Sequence, residues 1–519
     1  MNVQINTYDE IPYPNLTFFR TLPTRTAALA SLFGIEPSDP HSARVLELGC
    51  AAGANLIPMA AAFPEAEFVG VDLSEKQIEE GVKTITAAGL NNISLQQENI
   101  VNIDGSWGKF DYIIAHGLFS WVPEQVQDHI LRICRENLSA SGVTYISYNV
   151  FPGWHARRTI RDLMLYHVAH IPEPKARIEQ AKAILAFMAE HADPGFHKDM
   201  LKSISASLLK VDDAYLFHEF LERDNNPLLF TKFAEKAHAY GLQYLSDSVL
   251  AYTNLGMRNP KVTASLKQVS GDIVRLEQYL DFLENRSFRE SLLVHDAVPI
   301  KRELDSKAIR KLWMWSTSKS DTSIARSLGN SQPIEFISPQ GLKINLSDPI
   351  AKAAMVILEE KGEAPLRFSD LLGMVRARIN SVNQEAADDA SLCKFLLEAY
   401  NYSMLELIAA PWSCAPGISD KPRAPTLVRH QARSGKQIVS LRHIPLDSLT
   451  EDYLRLIELL DGEHTVDQLT DLMFEKLDLN KVPEEFRGIA HDQALLRSAF
   501  ARHIRAILND LAKLGLLQD

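Results

Sequence analysis

The sequence predicts an α/β protein built on a doubly wound parallel sheet, with a helical insert and α+β modules after it. Three observations indicate this fold class. Apolar strands alternate with amphipathic helices through residues 43–150, a turn of small residues joins the first strand to the first helix, and polar residues follow the strands at their carboxyl ends. Such alternation is typical of parallel sheets covered by helices on both faces, which bind ligands beyond the carboxyl ends of their strands.

The composition of the 519-residue chain is that of a globular protein with several domains. Hydrophobic residues make up 46% and charged residues 23%, which argues against a mainly disordered, collagen-like or membrane-spanning chain. The net charge of -12 argues against a nucleic-acid-binding surface over the whole molecule, although a local basic face stays compatible with it.

The amino-terminal segment and the cysteines predict a cytoplasmic protein. Residues 1–10 lack the features of a secretion signal, and no apolar run approaches the roughly 18 residues of a membrane span. The four cysteines form no CxxC pair, so neither a disulfide framework nor a zinc site is expected. The histidines show no metal-ligand spacing, and we predict no metal site.

The first strand, turn and helix of the alternating series predict a ligand-binding loop. Small residues at Gly49, Ala51 and Gly53 allow the backbone to approach a ligand, and the following helix presents free N–H groups. Glu47 precedes the turn and Asn55 follows it. The spacing is ExGxxxG, unlike the GxGxxG spacing that holds the pyrophosphate of a dinucleotide, so a nicotinamide site is not expected.

The second strand supplies an acidic residue that suits a ribose. Residues 67–72 read as a buried strand with Asp72 at its carboxyl end and Leu73 after it. Ser74 and Gln77 form a capping box that begins the next helix. An acid in this position can accept hydrogen bonds from both ribose hydroxyls, so the sequence predicts a nucleoside site.

Three further segments complete the predicted sheet. Residues 93–100, 110–117 and 142–149 read as its third, fourth and fifth strands. Their carboxyl ends should face the same cleft. The residues placed there are Asn99, Ile100, His116, Trp121, Tyr148 and Trp154.

The turn and the strand ends resemble the cofactor-binding motifs of class I S-adenosylmethionine-dependent methyltransferases, which have a Rossmann-like core. Ala51 stands for the usual middle glycine and Asn99 for the usual aspartate. The resemblance implies S-adenosylmethionine as cofactor. The predicted cofactor-binding residues within the sheet are Glu47, Gly49, Ala51, Gly53, Asn55, Asp72, Leu73, Asn99, Ile100, His116 and Trp121.

Motifs outside the sheet resemble bacterial methyltransferases that carry a methyltransferase regulatory domain. They are YDEIPYP at 8–14, HGLFSWVP at 116–123, YNVFPGW at 148–154, FHEFL at 217–221 and QYLDFLENRSFRE at 278–290. The best-known members are protein lysine methyltransferases that act on bacterial outer-membrane proteins. The resemblance implies a core, a dimerisation insert, a middle domain and a C-terminal domain. It also implies that the aromatic residues Tyr8, Tyr13, Phe18 and Phe19 cover the cofactor, the alternative being that they pack the segment onto the sheet.

The chemistry of methyl transfer selects four further candidates. A lone pair must lie about 3 to 3.5 Å from the methyl carbon, and a lysine acceptor must arrive neutral. Tyr148 can orient an amine or be a buried aromatic, and His116 can act in catalysis or satisfy a loop. His218 can be a base or a packed surface, and Trp154 can line the acceptor channel or support a turn. The Asn-Pro-Pro-Tyr signature of adenine methylation is absent.

The remaining chain predicts additional modules. Two passages offset by 100 residues, with Gly362-Glu363 matching Gly462-Glu463, indicate a duplicated winged-helix-like unit. The basic stretch between them is interpreted as a solvated linker or a surface for an acidic protein, in preference to a nucleic-acid site.

The sequence predicts six consecutive segments. They are a cofactor-binding core at 1–156, a helical insert at 157–210, core completion and regulatory segment at 211–299, a middle domain at 300–420, a basic linker at 421–442 and a winged-helix-like domain at 443–519. The helical insert would pack on a second copy of the chain or on its own core.

Together these patterns predict an S-adenosylmethionine-dependent enzyme that N-methylates lysine side chains of a protein. Two alternatives stay open: a small-molecule methyltransferase, and a non-catalytic binding or regulatory protein that retains the fold. Intact Glu47, Gly49, Gly53 and Asp72 argue against the second. The long region after residue 299 favours a macromolecular acceptor. A homodimer fits this interpretation, and a nucleic-acid partner is not expected.

Overall fold

The computed structural model describes residues 11, 16–253, 255–320, 332–380, 385–415, 417–476, 488–489 and 491–518. Its largest feature is a seven-stranded sheet of order β3-β2-β1-β4-β5-β7-β6. The strands are β1 (Arg44–Leu48), β2 (Glu67–Asp72), β3 (Ile93–Gln97), β4 (Phe110–Ala115), β5 (Leu138–Asn149), β6 (Leu242–Asp247) and β7 (Phe288–His295). β1 to β5 run parallel, whereas β7 pairs antiparallel with both β5 and β6. The predicted doubly wound α/β fold is confirmed.

Helices cover both faces of this sheet. Those of the first 300 residues are α1 (Pro23–Leu32), α2 (Leu56–Ala62), α3 (Glu75–Ala88), α4 (Glu124–Asn137), α5 (Trp154–Val168), α6 (Pro174–His191), α7 (Phe196–Leu208), α8 (Phe230–Ala239), α9 (Pro260–Ser270) and α10 (Ile273–Glu284). Side chains of the central strand β1 alternate between two hydrophobic clusters: Val45 lies in one, and Leu46 and Leu48 lie in the other. Burial on both sides explains why three of the five residues of β1 are aliphatic.

The predicted helical insert consists of α5, α6 and α7, which form a small core of their own. Ile160 and Leu185 belong to this core and are fully buried. Two aromatic residues of the insert point outward, since Tyr166 and Phe196 are 85% and 86% exposed. The chain then returns to the sheet through β6 and β7.

A buried arginine anchors α10 to the returning strands. Arg289 on β7 is 1% exposed and pairs with Asp281 at 2.8 Å, Asp247 at 2.9 Å and Glu277 at 3.0 Å. Its guanidinium also lies over the ring of Phe230. Arg286 is a second cation, 3.4 to 3.8 Å from the same three carboxyl groups. Because these charges are removed from water, loss of Arg289 would leave the three carboxyl groups with Arg286 as their nearest cation.

The middle unit, residues 306–408, shares a core with one face of the sheet. Its strands are β8 (Trp313–Ser316), β9 (Lys319–Ser320), β10 (Ile334–Ile337), β11 (Lys343–Leu346), β12 (Leu366–Arg367) and β13 (Leu405–Ile408), and its helices are α11 (Pro349–Lys361), α12 (Phe368–Ile379) and α13 (Glu385–Asn401). Met314 and Val45 belong to the same hydrophobic cluster. Helix α1 packs against β13, and the Thr24 hydroxyl donates to Ala410 O at 2.6 Å.

The C-terminal unit, residues 426–517, has a separate core. Its elements are α14 (Thr426–Ser434), β14 (Ile438–Val439), β15 (Pro445–Leu446), α15 (Glu451–Leu459), α16 (Val466–Glu475) and α17 (Gln493–Lys513). A β-hairpin followed by three helices thus occurs twice, as β10–β11 with α11–α13 and as β14–β15 with α15–α17. In the part of the chain that the structure describes, no helix combines the length and apolarity needed to cross a membrane.

The basic stretch 421–442 differs from the predicted solvated linker. Residues 426–434 form helix α14, because Val428 and Ala432 face the C-terminal core while Leu427 joins the hydrophobic cluster of the sheet and the middle unit. Lys436 pairs with Glu80 on α3 at 2.9 Å, and Arg442 pairs with Glu363 at 3.0 Å. The basic residues therefore dock the C-terminal unit onto the rest of the chain.

Candidate functional site

The turn between β1 and α2 has the backbone shape of a ligand-binding loop. Gly49, Ala51 and Gly53 have φ values of 74°, 49° and 74°, in the left-handed region that favours glycine. The amides of Gly49 and Cys50 donate to the Val71 carbonyl at 2.9 and 3.0 Å, which holds the turn against β2. A Cβ at Gly53 would lie 2.9 Å from the Leu95 side chain, so packing also requires glycine there.

Asp72 links this turn to the next helix. One carboxylate oxygen accepts the Ala51 amide at 2.9 Å, and the other accepts the Ser74 amide at 2.9 Å. These two bonds fix the orientation of a half-buried carboxylate at the end of β2. Leu73 beside it is 57% exposed, an apolar surface at the rim of the same loop.

Glu47 lies beneath the turn with one oxygen unsatisfied. Its Oε1 accepts the Asn55 amide nitrogen at 2.7 Å, whereas its buried Oε2 has no hydrogen-bond partner among the described residues. Burial raises the pKa of Glu47 to about 8, the Asn55 hydrogen bond opposes this rise, and the charge of Asp72 adds to it. A cation placed here would satisfy the free oxygen and favour the ionised form.

A second polar network lies at the carboxyl ends of β4 and β5. The Tyr145 hydroxyl donates to Glu290 Oε1 at 2.8 Å, and the Arg20 guanidinium donates to Glu290 Oε2 at 2.8 Å. His116 Nδ1 lies 3.0 Å from the Tyr145 oxygen. Ser147, opposite Glu290 in the β5–β7 pairing, accepts the Gly117 amide at 2.7 Å.

The segment 18–21 connects the two networks. The Phe18 amide donates to Asn55 Oδ1 at 2.9 Å, while the Phe18 ring lies on the ring of His116 with centroids 3.7 Å apart. Thr21 also contacts the Asn55 side chain, and its Oγ1 accepts from Nδ2 at 3.1 Å. The β1 turn, His116 and Glu290 therefore belong to one continuous site.

The structure brings some of the predicted site residues together here. Glu47, Gly49, Ala51, Gly53, Asn55, Asp72 and His116 all lie in or beside the two networks. Asn99 is exposed and caps a short turn with its side chain, Ile100 is half-buried in that turn, and Trp121 is half-buried against Trp154. Tyr8 and Tyr13 lie outside the described residues.

Three predicted catalytic residues have partners inside packed regions. Tyr148 is 1% exposed, with its hydroxyl 2.8 Å from Ser291 Oγ and its ring stacked on Phe233. Trp154 is 2% exposed and packs on Phe220. His218 is 3% exposed, with Nδ1 at 3.0 Å from Glu222 and Nε2 at 2.7 Å from the Ile11 carbonyl. These placements correspond to the structural alternatives for the three residues, and their catalytic roles stay predictions.

Sequence reasoning missed Arg20, Tyr145, Glu290 and His443. Tyr145 could have been identified from the sequence. Side chains along β5 alternate between the two faces of the sheet, and Tyr145 lies on the opposite face from Tyr148. Tyr145 shares a cluster with Val45, and Tyr148 lies in the other cluster. Glu290 is the last residue of the QYLDFLENRSFRE motif, but nothing in that motif indicates that it lies at this site, and Arg20 and His443 belong to no motif.

Three family models match the chain. A methyltransferase domain matches residues 45–142, a predicted methyltransferase regulatory domain matches 212–295, and the C-terminal winged helix domain of PKMT matches 420–516. The uncharacterized protein RP789 of Rickettsia prowazekii is 37% identical over 455 residues, which cover 85% of this chain and 81% of that protein. The structure of PKMT2 from Rickettsia typhi in complex with AdoHcy is 28% identical, with a TM-score of 0.82 over 98% of this chain and 100% of that one. A second structure of the same PKMT2 gives a TM-score of 0.84 over 97% of this chain and 100% of that one, again at 28% identity.

Proposed function

We propose that the protein N-methylates lysine side chains of a protein substrate, on the premise that this chain belongs to the family of class I S-adenosylmethionine-dependent methyltransferases with a methyltransferase regulatory domain and a PKMT-type winged-helix domain. S-Adenosylmethionine is the cofactor of this family, and AdoHcy is bound in the structure of PKMT2. The methyl acceptor is the part of the function that we propose.

The residues around the β1 turn fit this cofactor. Glu47 Oε2 is a buried oxygen without a described partner, and a group with an ammonium and a sulfonium supplies positive charge. We assign the ribose hydroxyls to the Asp72 carboxylate and the methionine part to the turn and Glu47. When bound, S-adenosylmethionine supplies an electrophilic methyl group, so the protein needs no covalent nucleophile.

The proposal for an amine acceptor depends on the protonation and the tautomer of the His116 ring. Burial opposes ionisation of Glu290, but the charge and hydrogen bond of Arg20 and the hydrogen bond of Tyr145 outweigh it and lower the pKa of Glu290. Glu290 is therefore a carboxylate, which can only accept, and the Tyr145 proton points to it. The Tyr145 oxygen must then accept from His116, so Nδ1 of His116 carries the proton.

The other nitrogen of His116 is consequently a lone-pair acceptor. Burial lowers the pKa of His116 to about 4, against the opposing charge of Glu290, so the ring is neutral at physiological pH. No hydrogen bond from a described residue reaches Nε2. We propose that Nε2 accepts an N–H of the neutral substrate amine and so orients the nitrogen lone pair toward the methyl group, while the proton that the methylated amine later loses goes to solvent. Tyr145 and Glu290 hold the ring in the required tautomer.

Transfer of a labelled methyl group tests the acceptor class. The purified protein is incubated with S-adenosylmethionine labelled on the methyl group and with protein, RNA and small-molecule fractions of bacterial cells. We expect label in protein, recovered as methylated lysine after acid hydrolysis. Label only in RNA or small molecules would refute the lysine proposal, and absence of transfer despite cofactor binding would favour the non-catalytic alternative.

A matched pair of histidine variants links transfer to the site. His116→Asn should abolish transfer and retain cofactor binding. His238→Asn, at an exposed position near the end of α8, should leave both unchanged.

A further inference from the structure

The C-terminal unit places a histidine in the cofactor-binding network. His443 lies in the loop of the β14–β15 hairpin, is 1% exposed, and has its Nε2 2.9 Å from Asn55 Oδ1. Two backbone hydrogen bonds hold the hairpin in place: the Ser440 amide donates to the Ile444 carbonyl at 3.0 Å, and the Leu441 amide donates to the Gly515 carbonyl at 3.0 Å. Asn55 is the residue whose amide nitrogen holds Glu47.

The hydrogen bonds around Asn55 determine which atom donates. The Phe18 amide can only donate, so the Asn55 atom that it contacts is the oxygen. The amide nitrogen then faces Glu47 Oε1 and Thr21 Oγ1. His443 approaches the same oxygen, and its Nε2 must therefore carry the proton.

Both the backbone conformation and the hydrogen bonding of His443 are unfavourable in this position. Its φ of 63° lies in the left-handed region, which a histidine adopts with strain. Its Nδ1 is buried without a hydrogen-bond partner among the described residues. Burial lowers the pKa of the ring to about 3, so the histidine is neutral. A strained, partly unsatisfied side chain that reaches across two units indicates a role beyond packing.

We propose that His443 is a positioning residue for the cofactor, which fixes the Asn55 amide on Glu47 and so makes S-adenosylmethionine binding depend on docking of the C-terminal unit. When the hairpin is docked, two donors, the Phe18 amide and His443 Nε2, hold the Asn55 oxygen, and the Asn55 amide nitrogen stays on Glu47 Oε1. Without His443, Asn55 loses a buried donor and its amide is free to reorient. The inference rests on S-adenosylmethionine as the cofactor and not on lysine as the methyl acceptor. A measurement of cofactor binding therefore tests it separately from the proposed function.

Calorimetric binding of S-adenosylmethionine to the full-length protein is the test. His443→Leu should weaken binding roughly tenfold, the size expected for one buried hydrogen bond. His443→Gln should restore binding to within about threefold of the wild type, because the glutamine amide can reach Asn55 as a donor. Gln437→Ala is the matched control: it changes an exposed side chain directly before β14, which contacts Asp447 at the other end of the hairpin rather than Asn55, and should leave the cofactor affinity unchanged.

A double-mutant cycle separates positioning from general stability. In an Asn55→Ala background, His443→Leu should cause no further loss of affinity, because the proposed path runs through Asn55. An equal loss in both backgrounds, or a His443→Leu affinity within twofold of the wild type, would overturn the proposal. Should His443→Leu fail to fold, His443→Asn replaces it: the shorter amide should bind the cofactor more weakly than His443→Gln, and equal affinities would overturn the proposal.

Discussion

Replacing Glu47 by Gln tests whether the carboxyl group beneath the β1 turn is protonated in the cofactor-free protein. The ordinary pKa of 4.5 rises to about 8 on burial, so the folded state binds a proton that the unfolded state has released. The contribution of Glu47 to stability is therefore lost progressively as pH rises from about 4.5 to about 8. Glutamine retains the oxygen that accepts from Asn55 but cannot ionise.

The magnitude follows from the pKa difference. Between pH 5 and pH 8 the loss approaches 1.4 kcal/mol per pH unit, or roughly 3 to 4 kcal/mol in total, as an upper limit for a rigid site. Other groups titrate in both proteins, so the difference in unfolding free energy between Glu47→Gln and the wild type isolates this term. That difference should increase by roughly the same 3 to 4 kcal/mol over the interval.

Two measurements check this expectation. Denaturant unfolding followed by tryptophan fluorescence from pH 5 to pH 9, without cofactor, gives the stability difference. Calorimetry in buffers of different ionisation enthalpy gives proton release: the wild type should release about 0.9 proton more than Glu47→Gln on binding S-adenosylmethionine at pH 7, since Glu47 ionises beside the bound cation. The variant should bind the cofactor ten- to a hundredfold more weakly, as expected for loss of a charged hydrogen bond of about 1.5 to 3 kcal/mol.

The control is Glu65→Gln, which removes an exposed carboxylate near the start of β2. It should track the wild type at every pH. A pH-independent stability difference for Glu47→Gln, together with equal proton release in both proteins, would refute a protonated Glu47.

Four other variants test the site and the fold. Asp72→Ala should weaken cofactor binding about a hundredfold, through loss of charged hydrogen bonds to the ribose, and unchanged affinity by calorimetry would contradict the assignment. Tyr145→Phe should lower kcat at least tenfold with little change in KM for the cofactor, because His116 Nδ1 loses its acceptor. An unchanged kcat in the labelled-methyl assay would contradict the proposed role of Tyr145 in holding the His116 tautomer. Tyr148→Phe should cost about 1 kcal/mol of stability and leave kcat within twofold, whereas a large loss of kcat would restore its predicted acceptor-binding role. Arg289→Met should lower the unfolding free energy by about 3 to 5 kcal/mol, since three buried carboxyl groups lose their nearest counter-charge and keep only the more distant Arg286, and a change under 1 kcal/mol in denaturant unfolding would argue against it.

The alternation of strands and helices made the first five strands of the sheet predictable. The apolar segments β1, β2 and β4 are short, bounded by turn residues and followed by a helix, and parallel strands joined in this way take a small number of arrangements. The final edge was harder to predict. β7 lies between β5 and β6, although β6 precedes it in the chain, and a pattern of hydrophobic residues carries no information on which strand occupies which edge.

The predicted loop residues share a simple physical origin. Gly49, Gly53 and Asp72 lie next to one another because strand ends in a parallel sheet converge, which a motif can express. Glu290 and Arg20 meet only because β7 and the amino-terminal segment close over the same edge. His443 is separated from Asn55 by 388 positions, and no motif or repeat in the sequence links the two, so only the folded chain reveals their contact.

The burial of α1 determines when the site can form during protein synthesis. Nine of its ten residues are buried, and its Thr24 is hydrogen-bonded to Ala410 near the end of β13. Since a nascent chain emerges amino terminus first, this helix leaves the ribosome long before the strand that covers it. Phe18 and Arg20 directly precede the helix, and their final positions depend on it. A ribosome-bound chain can therefore complete the sheet early, but it closes the methyl-transfer pocket only after the middle unit has been translated.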